Sequence, residues 1–264
     1  MSDSAELLKT VNASGFPLQI ALQGAVAAEC PSWKVVHKEH AWKNDSDKSS
    51  GFIDFVVQHG NTQDCAVIEC KRVLSSNWVF LSHNGIARQT QITKAWLTKH
   101  LGNNIVHCGW SEVRISPATP EANFCTVRGQ SANDKNTFLE RIASELVSST
   151  EALALEEREL RSNQEQSARL FFNVVVTTAT LKFAEFKYES LAREEGTLLD
   201  ADFLEVPYLR VRKQFSMRPV PITIKDRQRT DDIDARRENT IFVVNAKYFT
   251  KFLNALDVEK VPVS

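Results

Sequence analysis

The spacing of apolar residues changes several times along the chain, and each change predicts an element. "FPLQIALQGAVAAEC" (16–30) reads as a helix: Pro17 suits its first turn and Pro31 stops it just after Cys30. "WKVVHKEHAW" (33–42) reads as a first strand, and "FIDFVV" (52–57) and "CAVIECKRV" (65–73) as the next two, joined by the turn-rich "QHGNTQD". In "NGIARQTQITKAWLTKHLG" (84–102), Ile86, Ile92, Trp96 and Leu97 sketch an apolar helix face, with Gly102 as its C-cap. "NIVHCGWSEVRI" and "NFCTVRG" follow as strand-like runs.

After Pro120 the chain changes character. Residues 135–165 hold no Gly or Pro and carry Phe138, Leu139, Ile142, Leu146, Leu153 and Leu160, the pattern of one long helix or a helix pair, acidic on balance. Residues 170–188 and 203–215 are strand-like, and 239–256 reads as a buried strand with a closing helix. The expectation is an α/β chain of the α+β kind: a mixed sheet flanked by helices in residues 1–130, extended by an α+β second half, 131–264, that packs on it.

Within the second and third strands the pattern is broken. Asp54 interrupts "FIDFVV", and Glu69 and Lys71 interrupt "CAVIECKRV". A charge inside an apolar strand costs several kcal/mol unless it is paired or bound to a metal. If the turn centres near Asn61 and Thr62, Asp54 lies opposite Glu69, and Glu69 and Lys71 share a face. Two carboxylates one strand apart suit Mg²⁺, which takes few protein oxygens and keeps water. A lysine beside them can orient or deprotonate a metal-bound water.

Composition adds limits. The 264 residues are 42% apolar and 25% charged, with a formal net charge of -1, so a sizeable core is expected and an overall basic coat is not. No apolar run reaches membrane-spanning length, and "MSDSAELLKTVNASGF" has no secretory pattern. Cys30, Cys65, Cys70, Cys108 and Cys125 form no C-x-x-C pair; they read as buried, reduced thiols of a cytoplasmic protein. The six histidines show no metal-binding spacing, and no G-x-S-x-G, Walker or G-x-G-x-x-G motif occurs. "YLRVRKQFSMRPVPITIKDRQR" (208–229) is basic, with Tyr208 and Phe215 interleaved. Arg210, Arg212, Lys213 and Arg218 are its candidate phosphate contacts; a solvated edge strand is the alternative.

Asp54, fourteen residues, then Glu69-Cys70-Lys71, with strands on both sides, resembles the PD-(D/E)xK nuclease superfamily. The resemblance spans roughly residues 16–116 and implies a restriction-endonuclease-like core: helix, three antiparallel strands, helix, strand. It implies that Asp54, Glu69 and the Cys70 main-chain carbonyl hold Mg²⁺, for which Mn²⁺ can substitute, and that Lys71 acts on the attacking water. It further implies a glutamate on the first helix, with Glu29 matching and Gln23 competing, and a glutamine on the helix after the lysine, with Gln89 or Gln91 in that region. Ile53 stands at the nominal proline, and Gln91 is followed four residues on by Ala95 where the exonuclease-like branch has tyrosine. The expected activity is a DNA nuclease, endonuclease before exonuclease, of the kind found in prokaryotic restriction and anti-phage defence. Delivery to DNA would come by homodimerisation or a protein partner. The alternatives are a nuclease-like fold that no longer cuts and serves as a binding or assembly subunit, and an unrelated phosphoesterase acting on small nucleotides.

Overall fold

The computed structural model describes residues 3–45, 48–74, 76–82, 89–101, 104–127, 138–160, 166–215 and 237–259. The N-terminal segment forms two helices, α1 (Asp3–Ala13) and α2 (Phe16–Glu29), broken at Gly15, whose φ of 83° is one that a residue with a Cβ rarely adopts. α1 is an element that the sequence reading did not anticipate. α2 carries Pro17 in its first turn and buries Gln19, Leu22 and Val26, one residue per turn on one face.

Strands β1 (Trp33–Asn44), β2 (Ser49–His59) and β3 (Cys65–Lys71) follow as an antiparallel meander. The β2–β3 register pairs Phe55 with Ile68 and Val56 with Val67, as a turn centred on Asn61 and Thr62 requires. The next four strands are β4 (Asn77–Leu81), β5 (Gln89–Leu101), β6 (Asn104–Ala122) and β7 (Phe124–Val127). Helix α3 (Phe138–Leu160) then crosses over to β8 (Gln166–Thr177), which pairs parallel to β3 from Cys65↔Phe171 to Lys71↔Thr177. β9 (Thr180–Glu185), the short β10 (Leu191–Ala192) and β11 (Thr197–Leu198), β12 (Asp202–Glu205) and β13 (Tyr208–Lys213) precede β14 (Asn239–Asn245). Helix α4 (Phe249–Ala255) and β15 (Asp257–Val258) complete the described chain.

The main sheet runs β1-β2-β3-β8-β14-β13-β6-β15, and β5 pairs with both β6 and β8. Strands β8, β14, β13, β6 and β5 therefore pair in a closed ring beside the β1–β3 meander. A second sheet, β12-β9-β4-β7, packs nearby, with Trp78, Phe80, Leu181 and Phe183 buried against α3 residues Leu139, Ile142, Leu146 and Val147. The opposite face of the main sheet presents Phe55, Ile68, Phe172, Val174 and Phe242 to Leu22 and Val26 of α2 and to Phe249, Phe252 and Leu253 of α4. Trp33 fastens the two together by donating its indole N–H to the Leu253 carbonyl at 2.9 Å. The architecture is a mixed α/β chain with helices on both faces of the sheet.

Two expectations need correction. Residues 89–101 form a strand, not part of a helix over 84–102; residues 83–88 and 102–103 lie outside the described residues. Thr90, Ile92, Thr93 and Thr98 are β-branched, and β5 pairs with β6 from Gln89↔Pro120 to Leu101↔Asn104. A division near residue 130 is not what the strand pairing shows either: β8 and β14 come from the second half, yet they extend the sheet directly from β3.

Arg210 shows how the ring is filled. Its side chain is fully buried, donates from Nε to Thr119 Oγ1 at 2.6 Å and from Nη1 to the Ile92 carbonyl, and lies over the Phe242 ring at 5.2 Å. Burial lowers its pKa to about 10. Arg210→Ala is expected to destabilise the protein by about 2–4 kcal/mol, because it opens a void and strands two buried acceptors. Urea denaturation beside wild type checks this; an unchanged midpoint would place the Arg210 side chain at the surface.

Candidate functional site

β2 and β3 stop pairing at Phe55 and Ile68, one step short of Asp54 and Glu69. There the Asp54 side chain takes over from the ladder: Oδ2 accepts the Cys70 main-chain N–H at 2.6 Å. On the other side of β2 the register passes from Lys38↔Phe55 to His40↔Ile53, and Glu39 between them has a φ of 48°, a left-handed conformation unusual for a residue with a side chain. The Asp54 carbonyl accepts instead from Gln19 Nε2 of α2, at 2.6 Å. Asp54 is thus held by main-chain and side-chain hydrogen bonds at a local break in both ladders.

Glu69 and Lys71 occupy the end of β3, on the face directed at α3, since Cys65 and Val67 on the same alternation belong to the core under that helix. Lys71 Nζ is 2.5 Å from Glu69 Oε1. Glu69 lines an open cleft of about 560 Å³ together with Trp42, Lys48, Ser49, Ser50, Gly51 and Phe52 of the β1–β2 hairpin and Ser144, Glu145, Leu146, Ser148 and Ser149 of α3. The position is the carboxyl end of the parallel pair β3 and β8, where α/β sheets receive ligands.

The electrostatics are those of a site with surplus negative charge. Burial raises the Asp54 pKa above the ordinary carboxylate range, although the Cys70 N–H and Lys71 pull it back. Burial also raises Glu69, the Asp54 carboxylate adds to it, and Lys71 opposes both. For Lys71, burial works against the charged form, but Glu69, Asp54 and Glu145 outweigh it and the pKa is raised. Lys71 is therefore a firm cation. Burial and the two carboxylates push the Cys70 thiol up, so it stays protonated and is no nucleophile.

Among the described residues no three His, Cys, Asp or Glu side chains stand close enough together to hold a metal by themselves. The donor set is smaller: two carboxylates, converging at one strand end with the Cys70 main chain between them. That set fits Mg²⁺, which is commonly held by one or two carboxylates and keeps several waters.

The other sequence candidates are elsewhere. Glu29 is at the far end of α2 from Gln19, about 15 Å along the helix. Its carboxylate accepts from Thr250 Oγ1 at 2.8 Å and its carbonyl from Asn254 Nδ2 at 2.9 Å, so it docks α4 rather than the Asp54 site. Gln19, not Gln23, is the α2 side chain that reaches Asp54. Gln89 lies exposed on β5 opposite Pro120, and Gln91 accepts from Arg114 Nη1 at 3.3 Å; the helix expected to carry them is a strand. Arg210, expected at a phosphate-tracking surface, is inside the strand ring. Arg212 is paired with Glu112 at 2.6 Å and Glu238 at 2.7 Å, and Lys213 with Glu140, so their charge is already balanced. Arg218 lies outside the described residues.

Glu145, Lys48 and Phe52 are cleft residues that the sequence reading passed over. Glu145 lay in a segment read as an acidic helix, and on hydropathy alone a cleft-lining glutamate is identical to a solvated one.

A carboxyl whose folded pKa exceeds its unfolded value binds more protons folded than unfolded between the two. Stability falls as pH rises through that window, and the deficit is complete above the folded pKa. Asp54→Asn keeps an acceptor for the Cys70 N–H but removes the charge. It is expected to raise the urea midpoint at neutral pH, with the gain shrinking as pH falls towards the ordinary Asp value of 3.8. A variant less stable than wild type at neutral pH would contradict the arrangement.

Comparison with protein-family models, curated proteins and solved structures returned no match.

Proposed function

We propose that the protein is a Mg²⁺-dependent nuclease of the PD-(D/E)xK kind, acting on DNA. The observation that carries this reading is the convergence of Asp54, Glu69 and Lys71 at the end of β3, beside an open cleft. The element order supports it. With α3 as the second helix, α2, β1, β2, β3, α3 and β8 reproduce the helix, three antiparallel strands, helix, strand order that the resemblance implies. Residues 72–137, with β4 to β7, are then an insertion between the third strand and that helix.

Asp54 and Glu69, with the Cys70 carbonyl, would hold the cation. Mg²⁺ bound there would neutralise the carboxylates, lower the pKa of a bound water and stabilise charge on the phosphate. The chain's own groups do the rest. Cys70 N–H fixes one Asp54 oxygen. Lys71 donates hydrogen bonds to a phosphate oxygen or to the attacking water and orients it. Glu145 adds negative charge across the cleft, where it acts on both Glu69 and Lys71.

One observation favours a second reading, a non-cutting subunit with the same fold. The 2.5 Å Lys71–Glu69 pair satisfies both charges with no metal. Mg²⁺ titration separates the two, because a site closed by that pair gains no stability from the ion, whereas a ligand at a hundred times its Kd adds about 2.7 kcal/mol.

With Mg²⁺, the full chain is expected to cut circular DNA, and Asp54→Ala, Glu69→Ala and Lys71→Ala, each shown to fold, to lose at least about 100-fold in rate. Full activity in Lys71→Ala or in EDTA would overturn the reading. Glu145→Gln is expected to raise the Mg²⁺ concentration for half-maximal rate about tenfold. An unchanged Mg²⁺ requirement would make Glu145 a solvated bystander.

A further inference from the structure

Phe52 is 70% exposed, while Ile53 and Phe55 beside it on β2 are 1% and 0% exposed. A single exposed aromatic has no meaning on its own. This one lines the same cleft as Glu69, and it lies two residues before Asp54, about 7 Å along the strand. Its backing is rigid. Phe52 pairs with Ala41, and next to it Gly51 pairs with Trp42, whose indole is only 8% exposed. A Cβ at Gly51 would meet Trp42 Nε1 at 3.3 Å, so glycine lets the indole lie flush against the strand.

The remaining lining divides by chemistry. Lys48 brings a cation from the hairpin turn, Ser49 and Ser50 bring hydroxyls from the same wall, and Ser144 with Glu145 faces them from α3. An aromatic face, a cation and hydroxyl groups beside paired carboxylates match the base and phosphate of a nucleotide and a metal that the phosphate would share. The cleft volume of about 560 Å³ falls within the roughly 300–1,000 Å³ of small-ligand clefts, room for about one nucleotide.

We propose that the cleft receives unpaired DNA, with Phe52 stacking on the base next to the phosphate held at Asp54 and Glu69. The proposal rests on the nuclease reading and deepens it by naming the substrate class. Bases inside a duplex are stacked on one another and have no face to offer the ring; an unpaired strand, a frayed end or a flap does. Base–aromatic stacking is sequence-tolerant, so selectivity would be for strandedness rather than sequence.

The test uses the full chain with Ca²⁺ in place of Mg²⁺, so that the carboxylates are neutralised and binding is read on strands checked to be uncut, with a labelled single-stranded oligodeoxynucleotide and its duplex as probes. Wild type is expected to bind the single strand at least about tenfold more tightly than the duplex. Phe52→Ala should lose about 5- to 100-fold of the single-strand affinity, and Phe52→Trp should keep it. A fluorescent base analogue in the strand should be quenched by wild type and not by Phe52→Ala. Because Phe52 is at the surface, its replacement leaves folding nearly untouched. Equal affinity for duplex and single strand, or undiminished binding by Phe52→Ala, overturns the strand assignment. If Mg²⁺-dependent cleavage persists in that case, the nuclease reading stands. Absence of both binding and cleavage for either probe overturns the two together.

Discussion

The hydrogen bond from the Cys70 main-chain N–H to Asp54 Oδ2 is the constraint on which the site depends. It replaces a ladder bond where β2 and β3 part, and so lets the two strands separate without stranding a buried donor. From the other face, Gln19 of α2 holds the Asp54 carbonyl, and the position of that helix is set by Leu22 and Val26 in the core. β3 is held independently by its parallel pairing with β8, which keeps Glu69 opposite Val175 and Lys71 opposite Thr177. Asp54 is therefore fixed by these two hydrogen bonds at the break in its ladders, and Glu69 by the β3–β8 ladder.

This geometry has an energetic consequence. Burial raises both Asp54 and Glu69, and the Asp54 and Glu145 carboxylates add to the effect on Glu69. The Lys71 ammonium is drawn by three carboxylates, Glu69, Asp54 and Glu145. A structural salt bridge would match charge for charge. A surplus of negative charge in a partly desolvated cleft is instead an arrangement that a divalent cation relieves, at a cost in stability while the cation is absent.

The parts of this arrangement carried by short-range pattern were legible in the sequence. Apolar runs broken by Asp54, Glu69 and Lys71, with a turn between them, gave the hairpin and its register, and a segment free of Gly and Pro gave α3. Long-range features were not legible. β5 faces two cores, with Ala95 on one side and Trp96 on the other, and its buried polar residues Thr93, Lys94, Thr98 and His100 erase the period-two signal, so helical spacing won by default. Arg210 and Arg212 looked like a phosphate-binding stripe because hydropathy cannot tell a guanidinium inside a closed strand ring from one on a surface. Glu145 was hidden because α3 comes four strands after β3, and a nearer segment offered itself as the helix following β3.

The most direct test of the central claim is a crystal structure of the full chain soaked in Mn²⁺, read by its anomalous signal. The account predicts a peak within about 2–2.3 Å of one Asp54 and one Glu69 oxygen, with Lys71 swung away from the carboxylate that binds the ion. Clear density for both side chains without a peak, with Lys71 still on Glu69, would contradict it and leave the three residues as a buried ion pair with a structural neighbour.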